Sequence, residues 1–108
     1  MQKDIINFST NWNNKLDCMA FTTIRLKNSA KYQIGKKYEI HLKNTLKKRA
    51  RIEDIKTIYF DQINQYIAYI DTGYSLEEVK KILIKMYPKI NVQTQPFYFI
   101  LLKSLPKK

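Results

Sequence analysis

The chain has 108 residues, 44% hydrophobic, 13% aromatic and 27% charged, a balance that excludes a disordered polymer and fits one folded domain over 1–108. Twenty Lys and Arg against nine Asp and Glu leave a formal net charge of +11, a field that attracts polyanions such as nucleic acid. The apolar runs fall far short of a bilayer span and no signal-peptide pattern opens the chain, so the expected setting is the cytoplasm, without a membrane partner.

In chain order, residues 4–9 read as a short strand, and the polar stretch 9–14, interrupted by Trp12, as a loop or a helix start. The run 20–26 carries Thr22, Thr23 and Ile24, whose β-branching favours a strand. Alternation then gives Thr23 and Arg25 one shared face. A hydroxyl and a guanidinium are costly to bury unpartnered, so either water with a surface carboxylate or some other polar group meets them. Gly35 marks a turn, and Tyr38, Ile40 and Leu42 alternate onto one face of the next strand, leaving His41 on its exposed polar face. The stretch 49–60 reads as one long bent strand, or as two strands joined at Asp54.

The period then changes. Ile63, Tyr66, Ile67 and Ile70 fall at helical spacing, with Asp61 as the expected cap and Gly73 as the stop. Ser75 and Glu78 form a capping box for a second helix, whose apolar side is Leu76, Val79, Leu83 and Met86 and whose end is Pro88. After a polar loop at 91–95, residues 97–102 are apolar on both faces and read as a central buried strand, with a frayed tail over 103–108. Strands, two helices and a closing strand predict an α+β domain around a curved or barrel-like sheet.

The chemistry-bearing residues are few. Cys18 is the sole cysteine and His41 the sole histidine, so no internal disulfide and no His/Cys cluster of metal-ligand spacing exists; no metal or cofactor is expected. Cys18 reads as a small packing residue and Trp12 as a cap of the sheet or a border of a cleft. Lys43, Lys47, Lys48, Arg49 and Arg51 form a dense basic cluster, with Lys36 and Lys37 just upstream. Such a cluster is either a solvated hairpin or a track for a phosphate backbone.

Thr23-Ile24-Arg25, then Tyr32-Gln33-Ile34-Gly35-Lys36, Ala68-Tyr69-Ile70-Asp71, the run from Tyr74 to Lys81 leading to Met86-Tyr87-Pro88, and the closing Phe97-Tyr98-Phe99-Ile100 follow one another in an informative order. In that order and spacing, about three quarters of the chain resembles the ASCH domain of the PUA-like superfamily. It is most similar to small bacterial ASCH proteins that hydrolyse the amide of acetylated cytidine. The resemblance implies a PUA-like β-barrel with flanking helices, a cleft lined by the Thr-x-Arg strand, and RNA or a modified nucleoside as partner. It also implies that Thr23 and Arg25 line the cleft, with Asp71 in the position of the family's carboxylate. The hydrolase branch adds a lysine, and that position here is Ala20. Lys15 precedes the strand, but spacing alone does not bring it to the cleft.

A threonine hydroxyl needs an activating base, so the expected function is an RNA- or nucleoside-binding module with ligand contacts from Thr23, Arg25 and Asp71. In that reading Lys43, Lys47, Lys48, Arg49 and Arg51 follow the backbone, and exposed tyrosines such as Tyr32 or Tyr74 stack a base. Two alternatives stand beside it. One is an amidohydrolase with Thr23 as nucleophile and Asp71 as acid/base. The other is a structural or regulatory interaction protein in which Arg25 and Asp71 form a buried ion pair.

Overall fold

The computed structural model describes residues 4–106. Its strands are β1 (Ile5–Phe8), β2 (Ala20–Leu26), β3 (Lys37–Leu42), β4 (Thr45–Tyr59) and β5 (Pro96–Ser104), and its α-helices are α1 (Gln65–Thr72) and α2 (Leu76–Met86). The strands form one sheet in the order β1-β3-β4-β5-β2, with β1 parallel to β3 and every other pair antiparallel. The architecture is therefore α+β, a sheet curled into a half-barrel with helices against it.

Local chemistry accounts for the curl. β3 and β4 are joined at Lys43 and Asn44, both at positive φ (52° and 66°), the twist that suits a tight hairpin. β4 continues as a single strand past residue 54, and a bulge between Ile52 and Asp54 bends it. Gly35, at φ 87°, donates its N–H to the Ile52 carbonyl at 2.7 Å and so delivers the chain to β3.

Two apolar clusters sit on opposite faces of the sheet. The concave side buries Ile6, Phe8, Phe21, Ile40, Ile52 and Ile100, among others. The helix side buries Ile24, Phe97, Ile63, Ala68, Val79 and Leu83. β5 feeds both, Tyr98, Ile100 and Leu102 turning one way and Phe97 and Phe99 the other, which is why its sequence is apolar on both faces. β1 and β2 are the two outer strands of the sheet. The curl brings them within side-chain reach, where Phe8 packs edge-on against Phe21 with ring centroids 6.3 Å apart.

Several local expectations are corrected. The cap of α1 is Asn64, whose side chain accepts from the Ile67 N–H at 2.9 Å, while Asp61 lies in a preceding 3₁₀ turn, Phe60–Gln62. The buried face of α1 is Ala68, Asp71 and Thr72; Tyr66 is 80% exposed and Ile70 59%. Small Ala68 permits close approach to the sheet, and the buried partners of Asp71 set the rotation of the helix, so of the expected stripe Ile63 and Ile67 pack inward while Tyr66 and Ile70 face outward. Ser75 caps α2 by accepting from the Glu78 N–H at 3.3 Å, and Val79 and Leu83 are buried while Met86 stays exposed. Residues 103 and 104 are in β5, and Leu105 donates to the Arg49 carbonyl at 2.9 Å, so the tail is anchored there; Lys107 and Lys108 lie outside the described residues. His41 is half-buried against Glu39 at 3.0 Å rather than freely exposed, and Cys18 is exposed rather than packed. Among the described residues, no helix is long and apolar enough to cross a membrane.

Candidate functional site at the seam of the sheet

The facing edges of β1 and β2 are bridged by side chains. Arg25, on β2, donates from Nη2 to the carbonyl of Asn7 on β1 at 2.9 Å and from Nε to the Thr23 hydroxyl at 2.9 Å. Its guanidinium lies 4.7 Å from the centroid of the Phe8 ring, an arrangement that adds a cation–π contact. The Thr-x-Arg pair thus shares a face, as strand alternation requires, and its polar partners are each other and the neighbouring backbone.

Thr22 points to the other side of β2 and donates its hydroxyl to Asp71 Oδ1 of α1 at 2.9 Å. The same oxygen receives Lys15 Nζ at 3.0 Å, with side chains only 7% and 8% exposed. Asp71 is therefore held by Lys15 and Thr22; the Arg25–Asp71 ion pair expected of a purely architectural role is not among the contacts of the described residues. The desolvation cost of such a buried pair is offset only when its remaining polar capacity is satisfied, and no buried side-chain polar atom lacks a partner among the described residues. Burial pushes the Lys15 ammonium below its ordinary 10.5; the charge and hydrogen bond of Asp71 oppose the shift and the charge of Arg25 adds to it.

Lys15 arrives on a short 3₁₀ segment, Trp12–Asp17, broken at Asn13 and Asn14, which both adopt positive φ (52° and 54°). Gly73 ends α1 at φ 79°, and a Cβ there would lie 2.9 Å from Asn13 Cγ. The missing side chain lets the segment dock against the end of α1, two residues from Asp71. The sequence reading missed Lys15 as a site residue because this docking is a contact between positions 56 apart. The signal within reach was the turn-favouring pair Asn13-Asn14 leading into Lys15 ahead of β2, together with a glycine stop on α1.

These groups converge on a cavity of about 40 Å³. Thr23, Arg25, Lys15 and Asp71 line it with Asn7, Ser9 and Thr72, and Trp12 and residues of α2, including Leu83 and Met86, complete the lining. Trp12 borders the cleft and meets Tyr74 edge-on with centroids 5.5 Å apart. The volume corresponds to about three waters, too small to enclose a whole nucleoside. Of the tyrosines considered for stacking, Tyr32 is buried, so that role is corrected, and Tyr74 is partly taken up by Trp12. Ala20 is exposed at the start of β2.

The basic cluster is sorted by the fold. Lys47 and Lys48, with Leu105 and Pro106, border two adjoining surface grooves; Arg51 and Lys103 line one and Lys37 and Arg49 the other. Lys37 and Lys103 join the cluster through sheet pairing, Arg51 standing opposite both. Lys43 sits in the β3–β4 turn and lines neither groove. Lys48 is partly committed to structure, donating to the Cys18 carbonyl at 3.0 Å and lying 4.6 Å from the Phe21 ring centroid. Lys47 pairs with Asp17 at 3.0 Å.

Among the described residues, no group of three or more His, Cys, Asp or Glu side chains could hold a metal ion. Comparison with protein-family models, with curated proteins and with solved structures finds no match.

Proposed function

We propose that the chain is an RNA- or nucleoside-binding module of the ASCH, PUA-like type. In this reading the seam cavity receives part of a nucleotide unit and the cationic grooves follow a phosphate backbone. The observation that carries it is the convergence of Lys15, Thr23, Arg25 and Asp71 on one partly apolar cavity, the mixture expected of a ligand site. Support for a polymeric ligand comes from Lys37, Arg49, Arg51 and Lys103 lining adjoining grooves, together with the net charge of +11. Four phosphate contacts on a single strand give a slope of log affinity against log salt of about −3. The test is binding of a short single-stranded RNA measured across a salt series. Lys103→Ala is expected to reduce the slope by about 1; binding indifferent to salt defeats the backbone reading.

A second reading, amide hydrolysis on an acetylated cytidine, is favoured by one observation. An amine with its pKa lowered by burial, Lys15, lines the same cavity as Thr23, so the base that Ala20 cannot supply has a candidate. In this mechanism the Thr23 hydroxyl attacks the acetyl carbonyl, Lys15 accepts the proton and Arg25 stabilises the oxyanion. Collapse breaks the C–N bond as Lys15 returns the proton to the departing cytidine amine, and water then hydrolyses the acetyl ester to release acetate and restore Thr23. Turnover of acetylated cytidine that is abolished in both Thr23→Val and Lys15→Met supports it. Equal turnover in either variant removes it.

A further inference from the structure

The charges lining the seam cavity do not cancel. Lys15 and Arg25 contribute two cations and Asp71 one carboxylate, and that carboxylate is already engaged at Oδ1 by Lys15 and Thr22. Arg25 has no carboxylate among the described residues. Its hydrogen bonds within the described residues use Nε and one Nη2 hydrogen and go to neutral oxygens, Thr23 Oγ1 and the Asn7 carbonyl. Three of its five N–H groups are thus left to other partners. Those two bonds and the Phe8 ring, 4.7 Å from the guanidinium, hold the plane of the fork fixed, so a ligand does not have to order it.

Resting on the nucleic-acid reading above, we infer that the group entering the seam cavity is an oxyanion, the phosphate of a nucleotide, received by the free edge of Arg25 while the base stays at the rim beside Trp12. Three observations carry this. The lining holds one uncompensated positive charge. The guanidinium is pre-oriented, and such a fork pairs with phosphate or carboxylate in two-pronged fashion. The cavity, at about 40 Å³, suits a phosphate-sized group and not a base. Trp12, half-buried at the border, offers an apolar surface to a base outside.

Calorimetric titration of the chain with cytidine 5′-monophosphate, cytidine, inorganic phosphate and acetate tests the inference. Cytidine monophosphate is expected to bind at least about tenfold more tightly than cytidine, the scale of one charge-assisted contact. Arg25→Gln is expected to erase that preference. Because Arg25 also latches β2 to β1, Arg25→Lys and Thr23→Val are titrated alongside. Both keep the positive charge and are expected to retain part of the preference, with thermal melts checking that each variant is folded. Equal affinity for cytidine and its monophosphate overturns the oxyanion assignment and leaves the nucleoside reading standing. Phosphate or acetate binding as tightly as the nucleotide supports the oxyanion site and overturns a nucleoside ligand there. No binding by any of the four overturns both.

Discussion

Removing Asp71 by substitution with Ala leaves the Lys15 ammonium, 7% exposed, without its carboxylate. Breaking a buried pair from one side costs about 3–5 kcal/mol. The proton sets a ceiling on this cost. An amine of ordinary value 10.5 gives up its proton for about 5 kcal/mol at pH 7 but only about 2 at pH 9. The folded variant takes the cheaper route, so its penalty falls as pH rises. Loss of the acceptor for the Thr22 hydroxyl adds about 1 kcal/mol at either pH.

The sign in the native chain agrees. Lys15 is lowered from 10.5, so the folded state releases its proton before the unfolded state does. Its contribution to stability therefore rises with pH up to the unfolded value. The double variant Lys15→Met/Asp71→Leu removes both charges and is expected to lie within about 2 kcal/mol of the native chain, or above it. Urea unfolding of the native chain, Asp71→Ala, and the closed cycle of Lys15→Met, Asp71→Leu and their double variant at pH 7 and pH 9 yields both the penalty and the coupling energy. An Asp71→Ala penalty below about 1 kcal/mol at pH 7, or one that grows toward pH 9, refutes this account of the network.

Two further outcomes test the packing that carries the site. Gly73→Ala forces a side chain into positive φ and to within 2.9 Å of Asn13, so a loss of about 1–3 kcal/mol is expected in thermal or urea unfolding; a neutral result means that the Trp12–Asp17 segment does not depend on that close approach. Tyr66→Ser, at a position 80% exposed, is expected to change stability by less than about 0.5 kcal/mol, whereas Ala68→Leu, at a fully buried position, costs about 1–3 kcal/mol by overpacking. The reverse order would return Tyr66 to the core.

Much of the fold was legible because its signals are local. The alternation of Tyr38, Ile40 and Leu42, the β-branched run of β2, the two-faced apolar β5 and the glycine that stops α1 each depend on neighbours a few residues away. The rotation of α1 was not legible. Of the stripe Ile63, Tyr66, Ile67 and Ile70 only Ile63 and Ile67 pack inward, because the buried bonds of Asp71 and the small size of Ala68 turn Tyr66 and Ile70 out. The site divides the same way. Thr23 and Arg25 were predicted to share a face, and they do, yet the group across from Asp71 is Thr22 together with Lys15.

By itself, then, the sequence determined the α+β class, the strand that carries Thr23 and Arg25, and the excess positive charge, since periodicity and composition are properties of the chain alone. Tertiary structure decided which residues share a cavity. Closing the seam between β1 and β2 lets Arg25 reach the Asn7 carbonyl, and docking the 3₁₀ segment against Gly73 sets Lys15 on Asp71. It likewise drew Lys37 and Lys103 to Arg51 and left Lys43 in a turn. Those contacts join positions far apart in the chain, and only the sheet register and the buried charge balance bring them together.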